Sequence, residues 1–485
     1  MVNTYDVIII GGGIGGLVAA ALLADKGARV LLLEQATTTG GCAATFSHRG
    51  YRFDAGATIG CGFHSRGPMQ WVADRLAIKW PLYPLSVAWK YNDGVSEIDL
   101  DPKQEMLRKR FPESTAFWLE QAAVANTLWD LTNGLLSQYG RKRFSQARFL
   151  ASSLSSIPGS RCIMLATMTV SQWLKRHGLH GNKAFCRFID AQLLISAQTT
   201  ARKCNALFAA LALDLPRQSP CSISGGTGTV AEILSQAIGL RGGEIHLQEK
   251  VIALTTRNRR IKEVISTRAN YQGREVIVNG SSASLAALLG RTLPSSWKDR
   301  SRALWGAFIL HLGISQESLL GHTFQHLQLV RPKTDNLAEG DSLFLSLSHP
   351  TDQIRAPQGK RALTVSTHTK VPPWWHAKER GKKEYSALKS LYTEKAMGLL
   401  YHYLPGLEDN IELSLAGTPV TYQRYTGRHL GLVGGYAQTG LLAPRQKRYR
   451  LKNCSLVGDH RFPGQSIAGV TIGAAMAVDH LLRRL

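Results

Sequence analysis

Acidic residues are scarce in this chain. Across 485 residues, 34 Asp and Glu stand against 58 Lys and Arg, a formal charge of +24. Such a surface is expected to attract something anionic, and on charge alone nucleic acid and anionic lipid both qualify. The seven cysteines, at 42, 61, 162, 186, 204, 221 and 454, are odd in number and include no C-x-x-C pair. That argues against a disulfide framework and a structural zinc site, and a reducing compartment fits best. Met1 to Asp6 carries no basic segment, and the apolar stretch after it is broken by glycines and ends at Asp25 and Lys26, so no signal peptide is expected. Nor do eighteen uncharged apolar residues run together anywhere; any membrane contact is therefore expected to be peripheral and the protein cytoplasmic. Internal repeats and low-complexity linkers are missing too. What remains is 44% hydrophobic and 19% charged, the composition of a folded chain, long enough for two domains sharing a broad interface.

The clearest signal is at the start. Residues 5–10 (YDVIII) form a continuous β-branched run, the pattern of a parallel strand buried on both faces. Gly11-Gly12-Gly13-Ile14-Gly15-Gly16 follows directly, then Leu17, Ala20 and Leu23 at helical spacing up to Gly27, then a second strand over 29–33 ending in Glu34. This is a complete βαβ unit. Gly11 permits the tight turn, Gly13 lets the backbone approach a pyrophosphate, and Gly16 lets helix and strand pack closely. The unpaired N–H groups at the helix start favour an anion there. Glu34 is placed to accept hydrogen bonds from adenosine ribose hydroxyls and would repel a 2′-phosphate, so FAD or NAD is favoured over NADP.

The continuation separates the two. Gly40-Gly41-Cys42-Ala43-Ala44-Thr45-Phe46 and then residues 51–58 (YRFDAGAT) stand where a plain NAD enzyme would enter another helix. This layout resembles the flavoprotein superfamily of amine oxidases and phytoene desaturases, and within it the carotenoid desaturase and isomerase branch, particularly carotenoid 3′,4′-desaturases and prolycopene isomerases. The far end agrees: Gly458-Asp459, then Pro463-Gly464-Gln465-Ser466-Ile467-Ala468, resembles that branch's closing motif. Residues 224–251, with Gly225, Gly226 and Gly228 before a helix at 230–238, resemble its internal return to the nucleotide domain, and 276–279 (VIVN) read as the next strand of that sheet.

The resemblance implies an FAD-dependent oxidoreductase of α/β class. Its Rossmann-like FAD-binding domain would be assembled from 1–90, 221–300 and 416–485, and a substrate domain with an antiparallel sheet and helices from 91–220 and 301–415. It implies FAD contacts from Gly11, Gly13, Ile14, Gly15, Gly16, Glu34, Gln35, Gly41, Cys42, Ala43, Ala57 and Thr58. Val251 would lie at the adenine, Gly458 and Asp459 at the ribityl or pyrophosphate portion, and Pro463, Gly464, Ile467 and Ala468 at a helix start facing the flavin ring. The chain departs from many relatives at one of these positions: they carry an arginine after the Gly-Gly pair, where its guanidinium can pair the pyrophosphate, and this chain has Cys42, read as structural. The implied substrate is a carotenoid or related isoprenoid polyene, acted on by desaturation of an allylic C–C bond or by cis–trans isomerisation. A flavin amine oxidase, a retinoid-type saturase and a non-catalytic polyene-binding or assembly protein are the alternatives.

The middle of the chain is less specific. Helices are expected over 116–136 and from 170, and strands at 308–312, 343–347 and 362–366. Cationic clusters at 108–110, 141–143, 257–260, 378–383 and 445–450 read mostly as solvated faces; the one at 141–143, followed by 144–150 (FSQARFL), is suited to a bilayer surface. Peripheral contact with an anionic membrane is expected, and nucleic acid is not, for want of a nucleic-acid fold signature. His322 with His326, and His177 with His180, would share faces if helical, without a carboxylate or thiol at metal-ligand spacing, so no metal is expected. Trp374-Trp375 after Pro372-Pro373 suggests an ordered loop. Residues 425–428 (YTGR) lie near substrate and flavin by resemblance, or form a plain turn. Asp54, His64, Arg428 and Gln465 are polar and near the motifs, yet no acid–base or nucleophilic set stands out, so no catalytic residue is assigned.

Overall fold

The computed structural model describes residues 4–140, 157–292, 305–319, 321–332, 334, 336–440, 451–461 and 463–484. Its first sheet grows from the apolar opening run. β1 (Thr4–Ile10) is followed by helix α1 (Ile14–Ala24) and β2 (Val30–Leu33). β1 pairs in parallel with β2 on one side and with the strand Asn270–Asn279 on the other. Glu244–His246 adds in parallel beyond β2, and Cys454–Val457 beyond Asn270–Asn279. Three distant stretches of chain thus make one parallel sheet, extended at the start of Asn270–Asn279 by the antiparallel hairpin Val251–Arg257 and Arg260–Ser266.

Alternate residues of β1 serve opposite faces. Val7 and Ile9 join α1, the helix Gly228–Gly239 and the C-terminal helix Ile467–Leu482 in one core; Ile8 joins the hairpin and Leu285 in another. α1 is buried at every position, as expected of a helix between a sheet and two other helices.

The second sheet has the spatial order Ile411–Gly417, Trp305–Ser315, Lys360–Lys370, Ser342–Leu347, His326–Val330, Trp89–Asn92, Glu97–Leu100. Its neighbours are antiparallel except where His326–Val330 meets Trp89–Asn92. The three sequence-predicted strands lie in it, because their apolar residues face helices Pro372–Arg380 and Lys382–Tyr403. The expected helices run Thr115–Ser137, Val170–Arg176 and Gly228–Gly239; the first two belong to an aromatic-rich helical core around Trp118, Trp173, Phe185 and Phe188. The fold is α/β, a Rossmann-like unit of discontinuous segments joined to an antiparallel sheet with helices.

Some local expectations are corrected. Pro372-Pro373 opens a helix instead of a loop, since proline is tolerated in a first turn where its missing N–H has no partner to lose. Trp374 then points into the core, stacked on Phe308 at 5.8 Å, and its indole N–H donates to Thr369 Oγ1 at 3.0 Å. Trp374→Ala is expected to cost about 3–5 kcal/mol, read as a lower urea midpoint at unchanged slope. His326 sits in a strand, away from any shared helical face with His322. His177 does find a carboxylate: its Nε2 lies 2.7 Å from Glu120 on a helix 57 residues away. Among the described residues no group of three or more metal-ligating side chains forms, and no helix is long and apolar enough to cross a membrane. The clusters at 141–143 and 445–450, and residues 144–150, lie outside the described residues.

Candidate functional site

The carboxyl edge of the parallel sheet is where the sequence motifs meet. β1 ends in Gly11, whose φ of +101° suits only glycine. The chain then turns into α1 with Gly13 as N-cap and no side chain capping it. The first N–H groups of α1 therefore lack helical partners and face outward from the sheet edge. A Cβ on Gly16 would overlap the Gly11 carbonyl oxygen, so helix and strand can approach this closely only with glycine there. On Gly13 a Cβ would come 2.9 Å from Asn279 Nδ2, and on Gly15 it would come 3.1 Å from Asn279 Oδ1 and 3.3 Å from Gly458 N.

Glu34, at the end of β2, is buried. Its Oε2 accepts the Gly12 N–H at 2.6 Å and its Oε1 the Ala36 N–H at 2.8 Å. The carboxylate thus fixes the glycine loop itself, an interaction beyond the ribose contact read from the sequence. A carboxylate has about four acceptor sites, so two remain for hydroxyls. Gln35 lies under Gly427, where a Cβ would strike its side-chain amide. Val251 starts its strand with its side chain in the core with Leu31 and Leu33; the preceding residues run beside Glu34, with Glu249 N donating to Glu34 O at 2.8 Å and Gln248 N to Ala36 O at 2.9 Å.

The second glycine pair folds back on the first. Gly40 N donates to Gly12 O at 2.8 Å, and Gly41, Cys42 and Ala43 form a 3-10 turn. Ala57 N donates to Cys42 O at 3.1 Å, which seats Ala57 and Thr58 next to that turn. Thr58 Oγ1 accepts from Ser346 Oγ at 2.7 Å, and Ser346 lies 2.8 Å from His326 Nδ1. Burial, reinforced by Arg355, pushes the His326 imidazole down to about 3, so it is neutral in this network.

From the other end of the chain, Cys454–Val457 delivers Gly458 (φ +109°) between Gly15 and Asn279. Asp459 follows, then Pro463 and Gly464, and Ser466 caps the helix containing Ile467 and Ala468, its Oγ accepting the Gly469 N–H at 3.0 Å. This helix packs along α1, and both begin at the same sheet edge because the strands before them are parallel. Ala468 packs on Gly62, where a Cβ would come within 2.8 Å of its own.

The electrostatics centre on Asp459. Arg428 Nη2 lies 2.8 Å from Asp459 Oδ2. Burial raises the Asp459 pKa, but the Arg428 guanidinium and His460 outweigh it and hold the carboxyl below its usual range. Burial drives His460 down to about 4 and pushes the Cys42 thiol up. Asp54 is taken up elsewhere: Oδ1 accepts from Thr227 N at 2.8 Å and Oδ2 from Arg355 Nη1 at 2.8 Å. His64 packs edge-on against Trp129 at 5.3 Å, with its Nε2 unpartnered.

Several residues of this region carry no sequence signal of their own. Asn279 donates from Nδ2 to Gly11 O at 3.2 Å across 268 residues of chain. Gln198, at the end of helix Lys183–Ala197, meets Gln465 at Gly434, where a Cβ would lie 2.5 Å from Gln198 Nε2 and 2.7 Å from Gln465 Oε1. Both glutamines keep a buried Oε1 without a partner, which marks that end of the site as one that accepts a hydrogen-bond donor.

Comparison with known proteins agrees with this architecture. Residues 9–76 match the family described as NAD(P)-binding Rossmann-like domain. The chain is 26% identical to the chloroplastic prolycopene isomerase of Daucus carota, over 97% of this chain and 79% of that one. It is also 26% identical to the 4,4′-diapophytoene desaturase (4,4′-diapolycopene-forming) of a Methylomonas species, over 96% and 93%. Among solved structures, cyclohexylamine oxidase from Brevibacterium oxydans superposes with a TM-score of 0.61 at 14% identity, covering 99% of this chain and 98% of that one.

Proposed function

From similarity at 26% identity over nearly the whole chain to a prolycopene isomerase and a 4,4′-diapophytoene desaturase, we propose that this protein is an oxidoreductase of the carotenoid desaturase and isomerase family, an FAD-dependent enzyme acting on a carotenoid or related isoprenoid polyene. The observation that carries the reading is the full-length similarity to enzymes of both kinds, joined to a two-ended dinucleotide cradle. The cradle fits the cofactor: an uncapped helix start for the pyrophosphate, a buried carboxylate with acceptor sites to spare for the ribose, and a second helix start with unpartnered amide oxygens beside it. Bound FAD would supply a two-electron acceptor for desaturation or, reduced, the transient change of bond order that isomerisation needs.

The chain's own part is to bind, orient and insulate. Gly11, Gly13, Gly15, Gly16 and Gly41 bring backbone to the pyrophosphate; Ile14, Ala43, Ala57 and Thr58 line the turn next to them. Glu34 and Gln35 with the start of the Val251 strand take the adenosine end. Gly458, Asp459, Pro463, Gly464, Ile467 and Ala468 take the other. Segments 1–90, 221–300 and 416–485 make the cofactor domain in this reading, and 91–220 with 301–415 the substrate domain. The enzyme would be cytoplasmic and peripherally membrane-associated, because a polyene reaches it from lipid; exposed Leu119 and Ile163 on two helices of the substrate half support that side as the docking face. The amine oxidase alternative rests on fold alone, since its likeness is structural at 14% identity.

The test is expression in cells accumulating candidate polyenes, with pigments separated by chromatography and flavin measured on the purified protein. Added conjugation identifies desaturation; a changed geometric isomer at constant mass identifies isomerisation. A purified protein that binds no flavin, or pigments unaltered across the whole series, overturns the reading.

A further inference from the structure

Cys42 stands where many flavoproteins of this kind carry an arginine, yet the site has its guanidinium all the same. Helix Pro419–Thr426 ends in Gly427, whose left-handed φ of +66° turns the chain so that Arg428 reaches back over the 3-10 turn of Gly41, Cys42 and Ala43. Its positive charge lies near the Cys42 thiol there. The side chain is tied down along its length: Nε donates to Leu432 O at 2.5 Å, and Nη2 lies 2.8 Å from Asp459 Oδ2 and 3.4 Å from His460 Nε2. A guanidinium has five N–H donors, more than these three partners among the described residues take up.

A comparison within the molecule shows what a purely structural pair looks like. Arg355 and Asp54 are closed off, with side-chain exposures of 7% and 4%. Arg428 and Asp459 keep 20% and 16%. The pair stands by the first glycine loop: Asp459 follows Gly458, which is wedged against Gly15, and Cys42 follows the Gly40-Gly41 pair, of which Gly40 is bound to Gly12.

We propose that Arg428 supplies, from near the far end of the chain, the guanidinium that position 42 lacks, and that with Asp459 it seats the phosphate–ribityl portion of the dinucleotide. Arg428 is a binding and positioning residue, and the inference rests on the FAD reading above.

The experiment titrates FAD into apoprotein and follows flavin fluorescence, with circular dichroism to verify folding. Arg428→Met is expected to weaken FAD binding by about 10- to 100-fold, the size of a lost charge-assisted contact. Arg428→Lys, which keeps the charge beside Asp459 and so protects the fold, should still bind several-fold more weakly because the planar fork is gone. Cys42→Arg placed on the Arg428→Met background should restore most of the lost affinity, an outcome that a role confined to packing would not produce. Wild-type affinity in either folded single variant overturns the proposal, as does failure of the added arginine to recover binding. A wild-type protein that takes up no FAD would instead overturn the functional reading beneath it.

Discussion

Alanine at Gly16 and alanine at Gly13 should give opposite pictures of the same loop. Gly16→Ala is expected to lose both stability and flavin, because its Cβ would overlap the Gly11 carbonyl oxygen, which is backbone and cannot swing aside. Helix α1 would have to lift from β1, an overpacking cost of about 1–3 kcal/mol, and the N–H groups at its start would leave their places. Gly13→Ala meets only the end of the Asn279 amide at 2.9 Å, and its own φ of −71° is open to any residue. That variant should fold with a thermal midpoint near wild type and still bind FAD at least about tenfold more weakly, since the methyl group would stand where the pyrophosphate approaches. Thermal denaturation of apoprotein and flavin titration separate the two. Equal flavin affinity in Gly13→Ala and wild type would remove the pyrophosphate from that loop; a fully stable Gly16→Ala would mean the turn is looser than its geometry.

The contrast explains what the sequence made legible. Both glycines belong to a local unit, strand, turn and helix, whose apolar runs and spacing are set by neighbours along the chain. The same holds for strands 308–312, 343–347 and 362–366, short apolar runs that surfaced as antiparallel neighbours. Where burial on both faces erases alternation, as at His326–Val330, every position of which is buried, periodicity has nothing to report and a helical face for His326 stays open. Where function comes from closure of the sheet, the signal vanishes altogether. Asn279 is an ordinary strand-end amide until parallel pairing puts it against Gly11 and Gly458. Glu120 has no mark of its partnership with His177. Arg428 was visible as a residue of a recurrent stretch, but its meeting with Cys42 and Asp459 depends on two chain reversals that no local pattern encodes.

Asp54 illustrates the opposite risk, a polar residue inside a cofactor motif whose task is to hold the two halves of the molecule together. It is 3% exposed. One carboxylate oxygen takes the Thr227 N–H and hydroxyl at 2.8 and 3.0 Å, the other the Arg355 guanidinium at 2.8 Å, while Arg355 Nε donates to Arg52 O at 2.6 Å. Residues 52 and 54 belong to the strand Tyr51–Asp54, Thr227 caps the helix Gly228–Gly239, and Arg355 precedes the strand Lys360–Lys370 of the second sheet. Removing the carboxylate strands a buried guanidinium and a buried backbone N–H together, so Asp54→Ala should destabilise by about 3–5 kcal/mol. Asp54→Asn retains an acceptor for Thr227 and should recover part of that. The discriminating measurement is the cycle with Arg355→Met: if the ion pair is the tie, the double variant loses clearly less than the sum of the two single ones, because neither charge is then left alone. Additive losses in urea denaturation would show that Asp54 acts through Thr227 alone. A stable Asp54→Ala with impaired flavin reduction would return the residue to the chemistry, and the tie between the halves would have to be sought elsewhere.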